Sequence, residues 1–134
     1  MGILLDTNIV TALMVGNPLA VNQFTQAKLR GTPVGISAMT YYEIKRGLLA
    51  RPSANKRSAF QRFYQTVDIL PVTYPEIVEI ASEIYADLRS RGCLIQDADI
   101  LIAATAIAQN WILVSNDSDL SRVQRLRLEN WLVN

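Results

Sequence analysis

The chain has 134 residues, half of them hydrophobic and 19% charged, with a net charge of +1. That balance fits one compact domain around one core, excludes a disordered chain, and leaves any nucleic-acid or membrane surface to local clustering of charge. Histidine is absent and Cys93 is the single cysteine, which removes imidazole bases, Ser-His-Asp and Cys-His catalysis, an intramolecular disulfide and zinc sites built on His or thiolates.

In chain order, "GILL" at 2–5 is a short unbroken apolar run that meets Asp6, the pattern of a strand buried on both faces. A helix is expected from around Asn8 to Gly16, and a second over "NPLAVNQFTQAKLRG", with Pro18 in its first turn and Gly31 past its end. "PVGIS" reads as the second strand, after which Ser37 caps the helix "AMTYYEIKRGLLA". "RPSANKRSAFQRFYQTV" supplies a break and a helix, and "VDILPV" a third strand.

From Tyr74 to Arg91 the periodicity is helical: Ile77, Ile80, Ala81, Ile84 and Leu88 share a stripe opposite Glu76, Glu79, Glu83 and Asp87, and Gly92 ends the element. A helix from about Asp97 to Gln109, the strand "WILVS", the polar turn "NDSDL" with a short helical turn, and a last strand within "LRLENWL" complete the chain. Strands alternating with helices predict an α/β fold, a parallel β-sheet flanked by helices on both faces. No run approaches membrane-span length and the N-terminus lacks the basic lead of a signal peptide, so a cytoplasmic protein is expected.

The twelve acids fall into two populations. Glu76, Glu79, Glu83 and Asp87 form a solvated helix face, and Asp68 and Glu129 lie on or beside strands with no polar company. Asp6, Glu43, Asp97, Asp99, Asp117 and Asp119 differ, because Asp6 and Asp117 follow strands at the carboxyl edge of a parallel sheet, where ligands bind. Taken singly, Asp6, Asp97 and Asp117 are explained as helix caps or turn formers, and Glu43 as an exposed helix residue. Taken together, converging carboxylates repel unless a cation neutralises them, and a hard divalent ion resolves that conflict and suits phosphoryl chemistry. Asp97 and Asp99 cannot both face one pocket from one helix, since positions two apart point about 200° from each other; Asp99 is the candidate, and Asp97 reads as the helix cap or an outer acid.

The segments "LLDTNIV", "SAMTYYEIKRGL", "DADILIAATA" and "VSNDSDLSRV...LRLENW" resemble, in order and over essentially the whole chain, the PIN-domain ribonucleases, and more narrowly the VapC toxins of type II toxin–antitoxin pairs. The resemblance implies a single PIN domain over residues 1–134 with a Rossmann-like sheet, an acidic pocket for Mg²⁺ (or Mn²⁺), and metal-dependent hydrolysis of RNA phosphodiesters. Matched by motif, it implies catalytic roles for Asp6, Glu43, Asp99 and Asp117, with metal contacts from Asp6, Asp99 and Asp117. Asn8 and Ser115 match polar supports of the pocket; the family often has Thr at the latter position. Asp119 matches an auxiliary acid. A VapB-type antitoxin and a homodimer are the implied partners.

Six of the thirteen basic residues lie between 45 and 62. Lys45, Arg46 and Arg51 are the nearest to Glu43 and are the RNA-binding candidates, with a solvated helix face as the competing explanation. Two other functions compete with the nuclease: a PIN-like module that only docks partners, and a receiver or phosphatase-like domain. The latter expects a late lysine, whereas the last lysine here is Lys56, and "DTN" stands in place of "DxD".

Overall fold

The computed structural model describes residues 1–133. The strands are β1 (Ile3–Leu5), β2 (Val34–Ser37), β3 (Asp68–Leu70), β4 (Ile112–Val114) and β5 (Leu128–Glu129). The helices are α1 (Thr7–Met14), α2 (Pro18–Leu29), α3 (Ala38–Ala50), α4 (Ala54–Tyr64), α5 (Glu76–Ser90) and α6 (Asp97–Gln109), with a 3₁₀ turn at Ser118–Arg122.

The strands form one sheet in the order β3-β2-β1-β4-β5, with every pairing parallel. The chain builds β2 and β3 on one side of β1, then returns to build β4 and β5 on the other. Strand order therefore reverses at β1 and β4, and their carboxyl ends open the crevice where parallel sheets take ligands.

Why β1 is apolar throughout is clear from its two sides. Leu4 joins a core layer with Ile84, Leu88, Ile102 and Leu113 under α5 and α6. Ile3 and Leu5 join the opposite layer with Ile9, Val10, Ile36, Phe60 and Val114 under α1 to α4. A strand covered on both faces alternates between two cores, and no position is left for a polar side chain until the strand ends. α6 is buried on several sides, which accounts for its run of Ile100, Ile102, Ala103, Ala104 and Ala106; its one buried hydroxyl, on Thr105, donates to the Leu101 carbonyl at 2.8 Å.

Several boundaries differ from the sequence expectation. α1 starts at Thr7 because Asp6 accepts a hydrogen bond from the Thr7 N–H and caps it. α5 starts at Glu76 and not at Tyr74, because a residue preceding proline is sterically driven out of the helical region. β5 is confined to Leu128–Glu129, and Trp131 beyond it turns into the core at 3% exposure. Asp97 is not the cap of α6: that position belongs to Gln96, and Asp97 is the first helical residue. Among the described residues, no helix is long and apolar enough to cross a membrane.

Trp111, just before β4, lies across the amino ends of the central strands. A Cβ placed on Gly2 would sit 2.2 Å from the indole, and one on Gly35 would sit 3.2 Å from it. Gly2→Ala is therefore expected to destabilise the fold by roughly 1–3 kcal/mol through overpacking, measured by urea denaturation. An unchanged midpoint would mean that the indole moves freely.

Candidate active site

The site grows from the buried end of β1. Asp6 is 4% exposed, a position a carboxylate keeps only when its oxygens are hydrogen-bonded. Oδ1 accepts from the Thr7 N–H at 2.8 Å, and Oδ2 accepts from the Ser115 hydroxyl at 2.6 Å. The strand register supplies that second partner, since β1 and β4 pair Leu5 with Val114 and the next residues are Asp6 and Ser115. The cap that the sequence allowed for Asp6 is present on Oδ1, and Ser115 holds the other oxygen. Burial raises the Asp6 pKa; the Ser115 and Thr7 hydrogen bonds work against it, and repulsion from Glu43 and Asp117 adds to it.

Glu43 arrives from α3. Its Oε1 accepts from the Thr7 hydroxyl at 2.7 Å, and Thr7 also contacts the buried Thr40 hydroxyl at 3.3 Å. Thr7 thus ties the first acid to the second through its backbone and its side chain. Sequence reasoning passed over Thr7 and Thr40, and the available signal was their place within "DTN" and one turn before Glu43. Asn8 Oδ1 accepts a long 3.5 Å contact from the Asn116 N–H, which ties α1 to the segment after β4.

That segment carries the fourth acid. The Asp117 N–H donates to Ser115 Oγ at 3.0 Å, so Ser115 links the backbone of Asp117 to the carboxylate of Asp6. Asp117 Oδ1 in turn accepts from the Asp119 N–H at 2.9 Å and caps the 3₁₀ turn. The Asp119 side chain pairs with Arg122 at 3.0 Å.

Asp99 and Asp97 separate as their spacing requires. Asp99 lies with Asp117 and Asp119 on a cavity floored by Leu94 and Ile95, while Asp97 lies on another surface with Val78, Ser82 and Tyr85 of α5. The pKa of Asp99 is pushed up to about 6, first by burial and then by the charges of Asp6, Asp117, Glu43 and Asp119. The acids predicted to converge therefore act on one another. They do not form a ready-made cage: among the described residues, no three His, Cys, Asp or Glu side chains are grouped closely enough to hold a metal unaided.

The basic candidates divide. Arg46 sits 3.9 Å from Glu43 Oε2, a loose contact between partly exposed groups. Arg51 lines a groove of about 500 Å³ that opens beside Thr7 and Glu43 between α1, α3 and α4, with Lys56 of α4 also lining it. Lys45 is half-buried on α3 and does not line that groove.

Comparison with known proteins bears on this arrangement. The PIN domain family matches residues 3–126. The chain belongs to the PIN-domain family. Among its VapC relatives, the VapC ribonuclease Y4jK of Sinorhizobium fredii is 33% identical over 87% of both chains. Ribonuclease VapC2 of Haemophilus influenzae is 33% identical over 96% of this chain and 97% of its own. Among solved structures, VapBC2 of Rickettsia felis, bound to a DNA fragment from its promoter, superposes with a TM-score of 0.90 at 25% identity, covering 98% of this chain and 99% of that one. The parallel sheet flanked by helices is the PIN fold, and the acids described above lie at its carboxyl edge.

Two expectations follow for this PIN pocket. Ser115→Ala leaves both the Asp117 N–H and a buried carboxylate oxygen short of a partner, at a cost of roughly 1–3 kcal/mol, whereas Ser115→Thr keeps the hydroxyl; chemical denaturation of the pair reads the difference. The second concerns pH. Folded Asp99 holds its proton up to about 6, and the unfolded carboxyl releases it near 3.8. The folded state thus binds more protons in that window, and in chelator its stability falls as pH rises from about 4 through about 6. Asp99→Asn should shrink the difference between melting temperatures at pH 5 and pH 8 in EDTA; an undiminished difference would contradict the raised pKa of Asp99.

Proposed function

We propose that this chain is a divalent-metal-dependent endoribonuclease, the toxin of a VapBC-type pair, with Mg²⁺ or Mn²⁺ held by Asp6 and Asp99. The observation that carries the reading is electrostatic. The buried Asp6 just after β1 and the partly buried Asp99 on α6 feel each other's charge, and among the described residues neither is paired with a lysine or arginine. A donor set of oxygens alone suits a hard cation, and an open arrangement suits Mg²⁺, which keeps several waters and commonly takes only one or two carboxylates. The chemistry such an ion supplies is neutralisation of phosphate oxygens and a lowered pKa for a bound water.

The chain's own groups do the rest. Each Asp6 oxygen spends one lone pair on Thr7 or Ser115 and retains another for a cation. Asp117, set by Ser115, supplies a further carboxylate on the same edge, directly or through water. Glu43, fixed through Oε1 by Thr7, orients the water that attacks phosphorus in line and takes up its proton. Asp119, engaged with Arg122, is auxiliary.

The substrate is RNA, as the names of the VapC relatives state for those proteins, and the partner is a VapB-type antitoxin, as in the VapBC assemblies that share the fold. The chain is expected to work in the cytoplasm as a homodimer. Purified protein should cleave RNA when Mg²⁺ or Mn²⁺ is added and stop in EDTA. Asp6→Asn and Asp99→Asn should each lose more than about a hundredfold in rate, since even outer-shell partners of a metal cost 10–100-fold. Full activity in either variant would sink the site assignment, and intact RNA at every metal concentration would favour a PIN module that only docks partners.

A further inference from the structure

The aromatic residues near the basic stretch are not equivalent. Tyr41, Phe60 and Tyr64 pack on one another with ring centroids 5.3–5.8 Å apart, and Phe63 meets Phe24 at 6.1 Å. These rings belong to the core layer beneath α1 to α4. Tyr42 does not. It is 53% exposed, and the Arg46 guanidinium lies 5.0 Å from its ring centroid. Arg46 also reaches Glu43 Oε2 at 3.9 Å. Within one turn, α3 therefore presents a site carboxylate, a cation and a ring left in solvent.

The placement of cations around the acids is also uneven. Arg46 stands at the Glu43 edge and Arg122 at the Asp119 edge, while among the described residues Asp6, Asp99 and Asp117 have no ion pair, and Asp99 and Asp117 line one cavity. A polyanion approaching this pocket is repelled by its centre and needs its hold at the edge. A mobile guanidinium supplies charge for a phosphate, and an exposed aromatic face supplies sequence-tolerant stacking for a base. A base splayed from a single strand can reach such a ring, whereas one paired within a duplex cannot.

We propose that Tyr42 and Arg46 form a nucleotide subsite beside Glu43, in which Tyr42 stacks one base of single-stranded RNA and Arg46 moves from Glu43 to the adjoining phosphate. The proposal rests on the ribonuclease reading for the identity of the strand. It makes Tyr42 a determinant of substrate binding, and it couples strand binding to release of one Glu43 oxygen from its cationic neighbour.

The test uses the full chain. Binding of a labelled single-stranded RNA dodecamer is followed by fluorescence anisotropy in the Asp99→Asn background, where the RNA stays whole. Adding Tyr42→Ala is expected to weaken binding about tenfold, within the range for loss of one stacked base. Tyr42→Phe should restore it, since stacking needs the ring and not the hydroxyl. Arg46→Ala should weaken binding and lower the salt dependence by about one phosphate contact. Tyr85→Ala, on α5 and 40% exposed, serves as the control with unchanged affinity. With Asp99 intact, the Tyr42→Ala loss should fall on KM and not on kcat. The proposal is overturned if Tyr42→Ala binds RNA like its parent, if Tyr42→Phe is as weak as the alanine variant, or if Tyr42→Ala changes only the oligomeric state in sedimentation, which would make the ring a protein contact. Should the wild-type chain cleave no RNA while the Tyr42 variants lose binding, the ribonuclease reading falls and the subsite stands.

Discussion

A carboxylate buried at the end of the central strand has to be solvated by the protein itself, and the solution found for Asp6 organises the rest of the pocket. One oxygen takes the first free N–H of α1, and the other takes the Ser115 hydroxyl from the neighbouring strand. The Asp6 N–H continues the sheet ladder to the Val114 carbonyl at 2.9 Å, and the Ser115 N–H continues it to Glu129 at 2.9 Å. Site geometry is therefore sheet geometry carried one residue further. A slip of one residue between β1 and β4 would take Ser115 away from Asp6 and turn the apolar set of β4 to the wrong faces, so the two cores that hold the register also hold the site.

Burial that fixes Asp6 also makes its charge expensive, and the neighbours add to the cost. The fold relieves the strain at the margins. Asp117 spends an oxygen capping the 3₁₀ turn, Asp119 pairs with Arg122, and Glu43 has Thr7 and a loose Arg46. Asp6 has only the hydrogen bonds from Thr7 and Ser115, and among the described residues no cation pairs with Asp6 or Asp99. Repulsion left uncompensated in an otherwise well-packed domain is the sort of local inconsistency that marks a working site, because a stabilising lysine or arginine at that point would fill the place of the ligand.

A net charge of +1 hides this arrangement. The molecule is close to neutral because an acidic centre is offset by basic residues elsewhere, several of them on or just after α3. What matters to a polyanion is the local distribution of the two signs and not their sum. Arg46 and Arg122 mark where the sign changes on either flank.

Much of the fold was legible from local pattern. Unbroken apolar runs named the strands that two cores would cover, Ser37 announced α3 through its hydroxyl, and Gly31 and Gly92 marked chain reversals with the positive φ that glycine tolerates. The start of α5 was misread because Pro75 displaces it, whereas the bounds of α6 were as expected and only its cap position fell to Gln96 in place of Asp97. Of the pocket, the helical angle between positions two apart required Asp97 and Asp99 to part, and the choice of Asp99 came from the side it shares with Ile102, Ala103 and Ala106 and from its match to the family motif. Thr7 and Thr40 were missed because a threonine beside an acid carries no periodicity, and its role exists only when α3 is laid against α1.

By itself, the sequence determined the kinds of group available: no imidazole, no thiolate pair, and a set of carboxylates at strand and helix ends. That inventory limits the chemistry because a side chain's donors, acceptors and charge are properties of the residue wherever it is placed. Only the tertiary structure decided which tyrosine would be core and which would meet solvent, and which of an acid's two oxygens would be spent on a cap. Those outcomes depend on distances between segments as far apart as Asp6 and Ser115, and such distances are set by strand register and by helices packing on both faces of a sheet, not by any local run of residues.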